Sequence, residues 1–197
     1  MRRVLMIALV LSLGYAPEAF AAAGKGAFEL GIDVLDVFYS SLDDKSCTSY
    51  DWQYGVCWEG FDSYWLVRVP ASAFRVGYFV TDRVSLETAV QLEYNSAIRD
   101  EPNTSGGVAL GGQYHFPVGA SRQTLLYLGV NGSWSQAMDM PQFSVAGEVG
   151  SKVPVAGRLA LRVAAGVERA FETGKLTGQT AFGLTVGFSF FAGGPAG

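Results

Sequence analysis

The chain has 197 residues, a formal net charge of −4, 49% apolar residues and 16% charged residues. The charged share lies below the roughly 25% of soluble domains, and the mildly acidic balance gives no electrostatic case for nucleic acid. No apolar run reaches the about 20 residues of a membrane-spanning helix, and the length suits one domain.

Residues 1–21 read as a secretory signal. Arg2 and Arg3 form a basic start, Val4 to Gly14 an apolar centre, and Ala19-Phe20-Ala21 and Ala21-Ala22-Ala23 two small-residue cleavage sites, the second placing the cut after residue 23. Export bears on the only two cysteines, Cys47 and Cys57. In an oxidising compartment a pair this close is most simply a disulfide. Closing a loop of about eleven residues is worth roughly 3 kcal/mol on the chain-entropy model. No His lies near them to suggest a metal site, and nothing in the chain points to a cofactor.

From Phe28 onward the pattern is alternation. Phe28, Leu30, Ile32 and Val34 alternate with Glu29, Gly31 and Asp33, and a bulge near Val34-Leu35 is one way to keep Asp36 off the apolar face. A long segment, 40–63, carries Asp43, Asp44, Asp51, Glu59 and Asp62 with Trp52, Tyr54, Trp58 and Phe61. Tyr64 to Phe79 resumes the alternation, with a change of parity at Pro70 that predicts a bulge. FRVGYFVTDRVSLETAVQLEY, Phe74 to Tyr94, is two alternating runs joined at Thr81-Asp82-Arg83, a hairpin signature. Further runs centre on Val108–Phe116, Leu126–Val130, Phe143–Val149, Leu159–Val167 and Phe182–Phe190.

Eight such runs, 26–191, are joined alternately by long segments (40–63, 96–105, 135–141, 171–178) and short ones (81–83, 117–122, 154–157). An eight-stranded antiparallel up-and-down barrel crossing a membrane has this rhythm, with short periplasmic turns and longer outer loops. A soluble lipocalin-like barrel would turn the apolar row inward. Here the other row is rich in Gly and Ala. Aromatics also fall at the run ends: Tyr64, Trp65, Tyr94, Trp134, Phe143 and Phe171 at one, Phe28, Tyr78, Phe79, Phe116, Phe188, Phe190 and Phe191 at the other. Two such girdles favour contact with outer-membrane lipid.

On these features, and most locally on FRVGYFVTDRVSLETAVQLEY and the closing GLTVGFSFF, the chain resembles the small OmpA/OmpX-type outer-membrane β-barrel family. The resemblance implies a cell outer-membrane location and a structural or surface-interaction role carried by the loops. It departs from that family in its tail, residues 192–197, where AGGPAG follows Phe191.

The inward row holds Glu29, Asp33, Arg75, Glu87, Glu93, Glu148, Lys152, Arg162 and Glu168, which read as a structural charge network. Pairing Val80 with Val84 sets Arg75 opposite Ala89 and predicts an Arg75–Glu87 ion pair. Pairing Val153 with Leu159 makes Val155-Ala156-Gly157 a three-residue turn, sets Arg162 opposite Gly150, and predicts an Arg162–Glu148 pair across the space that Gly150 leaves. His115, the only histidine, lies near a short turn without a His-x-Ser pairing. It reads as a satisfied interior residue and not as the base of a lipid-modifying enzyme, so no catalytic residue is assigned. Trp52, Tyr54, Trp58 and Phe61 are the candidate contact surface for an extracellular partner. The alternative is a narrow channel for small or apolar solutes.

Overall fold

The computed structural model describes residues 24–43, 48–51, 56–59, 63–68, 73–95, 103–118, 124–137, 140–173 and 178–193. Residues 1–23, which include the segment read as a secretory signal, and residues 194–197 lie outside them.

Every element among the described residues is a β-strand. In chain order they are β1 (Phe28–Leu42), β2 (Thr48–Asp51), β3 (Val56–Glu59), β4 (Ser63–Arg68), β5 (Ala73–Phe79), β6 (Val84–Asn95), β7 (Asn103–Val118), β8 (Thr124–Ala137), β9 (Met140–Ala156), β10 (Leu159–Ala170) and β11 (Gln179–Ala192). Neighbours from β5 to β11 pair antiparallel in sequence order, and β11 returns to β1. Both β4 and β5 pair with β1 and together make one stave, so the closed barrel has eight. The pairing of β11 with β1 closes the wall and satisfies two strand edges whose amides would find no partner in lipid. Strands β2 and β3 form a separate hairpin inside the 40–63 segment.

The alternation sorts the wall into two faces. Outward positions include Leu110, 67% exposed, and Val130, 70% exposed, with Leu86, Leu128 and Val149 also open. At the end that carries both termini, Phe28 and Tyr78 stand 4.9 Å apart and Tyr114 and Phe116 4.8 Å apart. At the loop end Tyr39 meets Trp65 at 5.2 Å, and Phe143 stacks on Phe171 at 6.0 Å. Two of the residues assigned to these girdles from sequence are elsewhere. Phe79 and Phe191 are fully buried and pack with Ala27, Leu125 and Ala160 into an apolar plug across the terminus end. Parity explains the error: both follow an outward aromatic and so point inward.

The bulge considered near Val34-Leu35 occurs, between Asp33 and Leu35, and returns Asp36 to the inward row opposite Thr185. The β1 partner strand moves by two residues between Ile32↔Phe74 and Asp36↔Arg68. Residues 69–72, with Pro70, lie outside the described set. The hairpin of β5 and β6 has the expected pairing, Arg75 opposite Ala89, closed by Val80 N–H to the Val84 carbonyl at 2.9 Å.

The β9–β10 hairpin does not. Ala156 pairs with Leu159 around a two-residue turn whose Gly157 has φ 47°, and a bulge then sets Pro154 opposite Ala160 and Lys152 opposite Arg162. The expected register was therefore off by two residues. The left-handed conformation at Gly157 is present, but as the first turn residue, which tightens the hairpin. An even shift preserves parity, so Arg162 still points inward.

Candidate functional site

Inward side chains fill the middle of the barrel with a continuous polar network. Arg162, 1% exposed, donates from Nη1 to Asp33 Oδ1 at 2.9 Å, from Nη2 to Glu148 Oε2 at 2.9 Å, and from Nε to the Tyr127 hydroxyl at 2.8 Å. Arg75 donates to Asp33 Oδ2 at 2.7 Å and to Glu87 Oε1 at 2.6 Å. Lys152, fully buried, donates to Glu29 Oε2 at 2.6 Å and to Gln113 Oε1 at 2.7 Å. The Gln113 amide in turn donates to Glu87 and Glu148, at 3.0 and 3.1 Å. Gln113 thus joins the lysine cluster to the arginine cluster, each charge meeting an opposite charge as burial demands.

The structure therefore brings Arg75 to Glu87 and Arg162 to Glu148, the two pairs named from sequence, but not all for the expected reason. Gly150 does leave space, and that space belongs to Tyr127, whose ring would lie 2.5 Å from a Cβ at residue 150. Other inward glycines serve neighbours in the same way: a Cβ at Gly187 would meet Asp33 at 2.8 Å and one at Gly129 would meet Glu148 at 2.9 Å. Sequence reasoning missed Asp33 as the carboxylate shared by both arginines, the Lys152–Glu29 pair, and the hub role of Gln113. Asp33–Arg162, Lys152–Glu29 and the bonds of Gln113 to Lys152 and Glu148 join strands that are not neighbours, so hairpin register carries no signal of them. The Glu93 side chain lies outside the described set, and Glu168 sits near the loop end, where Ser144 bonds it.

His115 is fully buried at the terminus end. Its Nε2 lies 2.9 Å from the Ser85 hydroxyl, while Nδ1 has no partner. Ser85 is the serine that sequence reasoning did not find, because it sits on the neighbouring strand. The pair lacks the carboxylate that orients a catalytic imidazole through its second nitrogen, and the plug of Phe79 and Phe191 covers it.

At the loop end Arg169 binds Asp43 through both guanidinium nitrogens and reaches Thr180 at 3.0 Å, and Asp43 N–H donates to the Gly178 carbonyl at 2.9 Å. The Arg169 hydrogen bond holds the Asp43 carboxyl below its ordinary value, against a smaller opposing effect of burial. Of the candidate contact residues, Trp52, Tyr54 and Phe61 lie outside the described residues, as does Cys47. Trp58 and Cys57 lie on β3, opposite Ser49 and Tyr50. Among the described residues no group of acidic, His and Cys side chains has the geometry to hold a metal.

No protein-family model matches the chain, and no curated protein sequence matches it. Solved structures do. Neisserial surface protein A aligns with a TM-score of 0.58 at 12% identity, over 84% of this chain and 99% of that one. The fold is that of the small outer-membrane β-barrels. Outer membrane protein OprG from Pseudomonas aeruginosa aligns with a TM-score of 0.51 at 13% identity, over 88% of this chain and 99% of that one. With so few identities the likeness extends to the path of the barrel wall and not to particular side chains.

Proposed function

We propose that the protein is an integral outer-membrane barrel that acts through its exposed loops, above all residues 40–63, in contact with a partner outside the cell. The observation that carries this reading is the combination of an apolar outward wall with a lumen filled by buried ion pairs and an apolar plug. A wall of this kind suits lipid, and a filled interior is suited to holding the barrel rigid rather than to passing solutes. Function then falls to the segments displayed at the loop end, where Trp52, Tyr54, Trp58 and Phe61 supply aromatic contact area. In this orientation the termini and the short turns are periplasmic. The buried, two-membered Ser85–His115 arrangement supports a non-catalytic reading.

Membrane fractionation with heat-modifiable gel mobility tests the first half. The protein should enter the outer-membrane fraction and migrate faster unheated than boiled; recovery from the soluble periplasm would overturn it. Planar-bilayer conductance tests the filled lumen, which should remain closed at neutral pH. Replacing residues 44–62 by a short turn should leave gel mobility unchanged and remove any surface binding that the intact protein shows.

A further inference from the structure

We propose that His115 is a proton-sensitive latch on the seal at the periplasmic end of the lumen. This rests on the orientation proposed above for the name of that end, but not on any role of the loops.

The imidazole is buried against the seal. Its ring lies 4.8 Å from that of Phe79, and Phe79 lies 6.2 Å from Phe191. On its other side is Tyr127, at 5.9 Å. One nitrogen is satisfied by Ser85, and the other, Nδ1, faces no acceptor and no donor. A neutral imidazole tolerates this position with its proton on Nε2, donated to Ser85, and none on Nδ1. An imidazolium does not, because both of its nitrogens must donate.

The groups around the ring give the added proton nowhere to go. From β9 comes the Lys152 ammonium, a like charge. From β8 comes Tyr127, whose hydroxyl already accepts from Arg162. From β6 come Ser85 and Glu87. Glu87 is the one carboxylate that acts on the ring, but its oxygens are engaged by Arg75 and Gln113. From β1, Glu29 is held by Lys152 and Ser189. Strands β5 and β11 contribute only the apolar rings of Phe79 and Phe191. Protonation therefore places a second cation beside Lys152 in a buried layer with no acceptor for Nδ1–H. The ring relieves this by leaving for water, and the Phe79–Phe191 contact that rests on it opens with it.

Single-barrel conductance in planar bilayers tests the latch, with the periplasmic side acidified from about 7 to about 3. The wild-type barrel should stay closed at the upper end and show reversible openings as pH falls. His115→Gln keeps a hydrogen bond to Ser85 but does not titrate, and should remain closed throughout. A flat wild-type profile overturns the latch without recourse to any variant. Equal opening in wild type and His115→Gln also overturns it, because it assigns the opening to the carboxylates. Heat-modifiable mobility at neutral pH verifies that the variant folds, and His115→Phe replaces it if it does not.

Discussion

Arg162 holds Asp33, Glu148 and Tyr127 at once, and its removal leaves the buried Asp33 with Arg75 alone and Glu148 without its paired cation. Arg162→Met is therefore expected to destabilise the barrel by about 3–5 kcal/mol, read as a shift in the urea midpoint of unfolding in detergent. A loss below about 1 kcal/mol would mean that water enters the network and screens it. The Asp43–Arg169 clasp is the contrast, because both partners are largely exposed, and Asp43→Asn should leave the midpoint nearly unchanged. Its pH dependence has a definite sign. The Asp43 carboxyl is held below its ordinary value of 3.8, so the clasp contributes fully above that value and is lost as pH falls through the lower folded-state value. Carboxyl NMR of selectively labelled protein should show Asp43 titrating below an unstructured aspartate; titration at or above it would mean that the clasp does not persist in solution.

Among the elements, β9 shows how far alternation carries. Parity alone assigned Glu148, Gly150, Lys152 and Arg162 to the interior, and all four are there, because a wall with one apolar face punishes any odd slip. It could not fix the even slip, since moving β10 by two residues exchanges like for like on both faces. The choice was made by Gly157, whose left-handed backbone closes a tighter turn than the three-residue loop read from sequence. Gly150 has its own test. Gly150→Ala drives a methyl into the Tyr127 ring and should cost about 1–3 kcal/mol, whereas Gly147→Ala, with no atom within 4 Å of the new carbon, should be nearly neutral. Equal effects would show that the ring moves aside freely. Bridged through Cys47 and Cys57, the protein should yield no free thiol when denatured without reductant. Two free thiols would instead leave Cys57 paired opposite Tyr50 as it stands.

For the molecule as a whole, the two faces make opposite demands on labelling. Leu128 and Val149 are open on the outward wall, and Val163 pairs with Val186 in the same row. Cysteines at these four positions should resist water-soluble thiol reagents in reconstituted bilayers and react in the unfolded chain. Ready labelling in bilayers would turn the barrel inside out, as a soluble carrier with its apolar row misread. Arg at Leu128 should cost about 2–4 kcal/mol if the site is at the midplane.

The first strand carries Glu29 and Asp33, and their partners Lys152 and Arg162 stand near the other end of the chain. Neither cation finds its full set of counter-charges until β1 and β11 have met. A sheet with every other hairpin formed would carry an ammonium without its carboxylate and a guanidinium with Glu148 alone on its concave side, together with two raw edges. Lipid rejects both. The first strand of the chain is thus the last whose absence can be tolerated, and insertion and closure should occur as one event. A chain that begins after Asp33 and another that ends before Lys152 should fail alike, without leaving a partly inserted species between them.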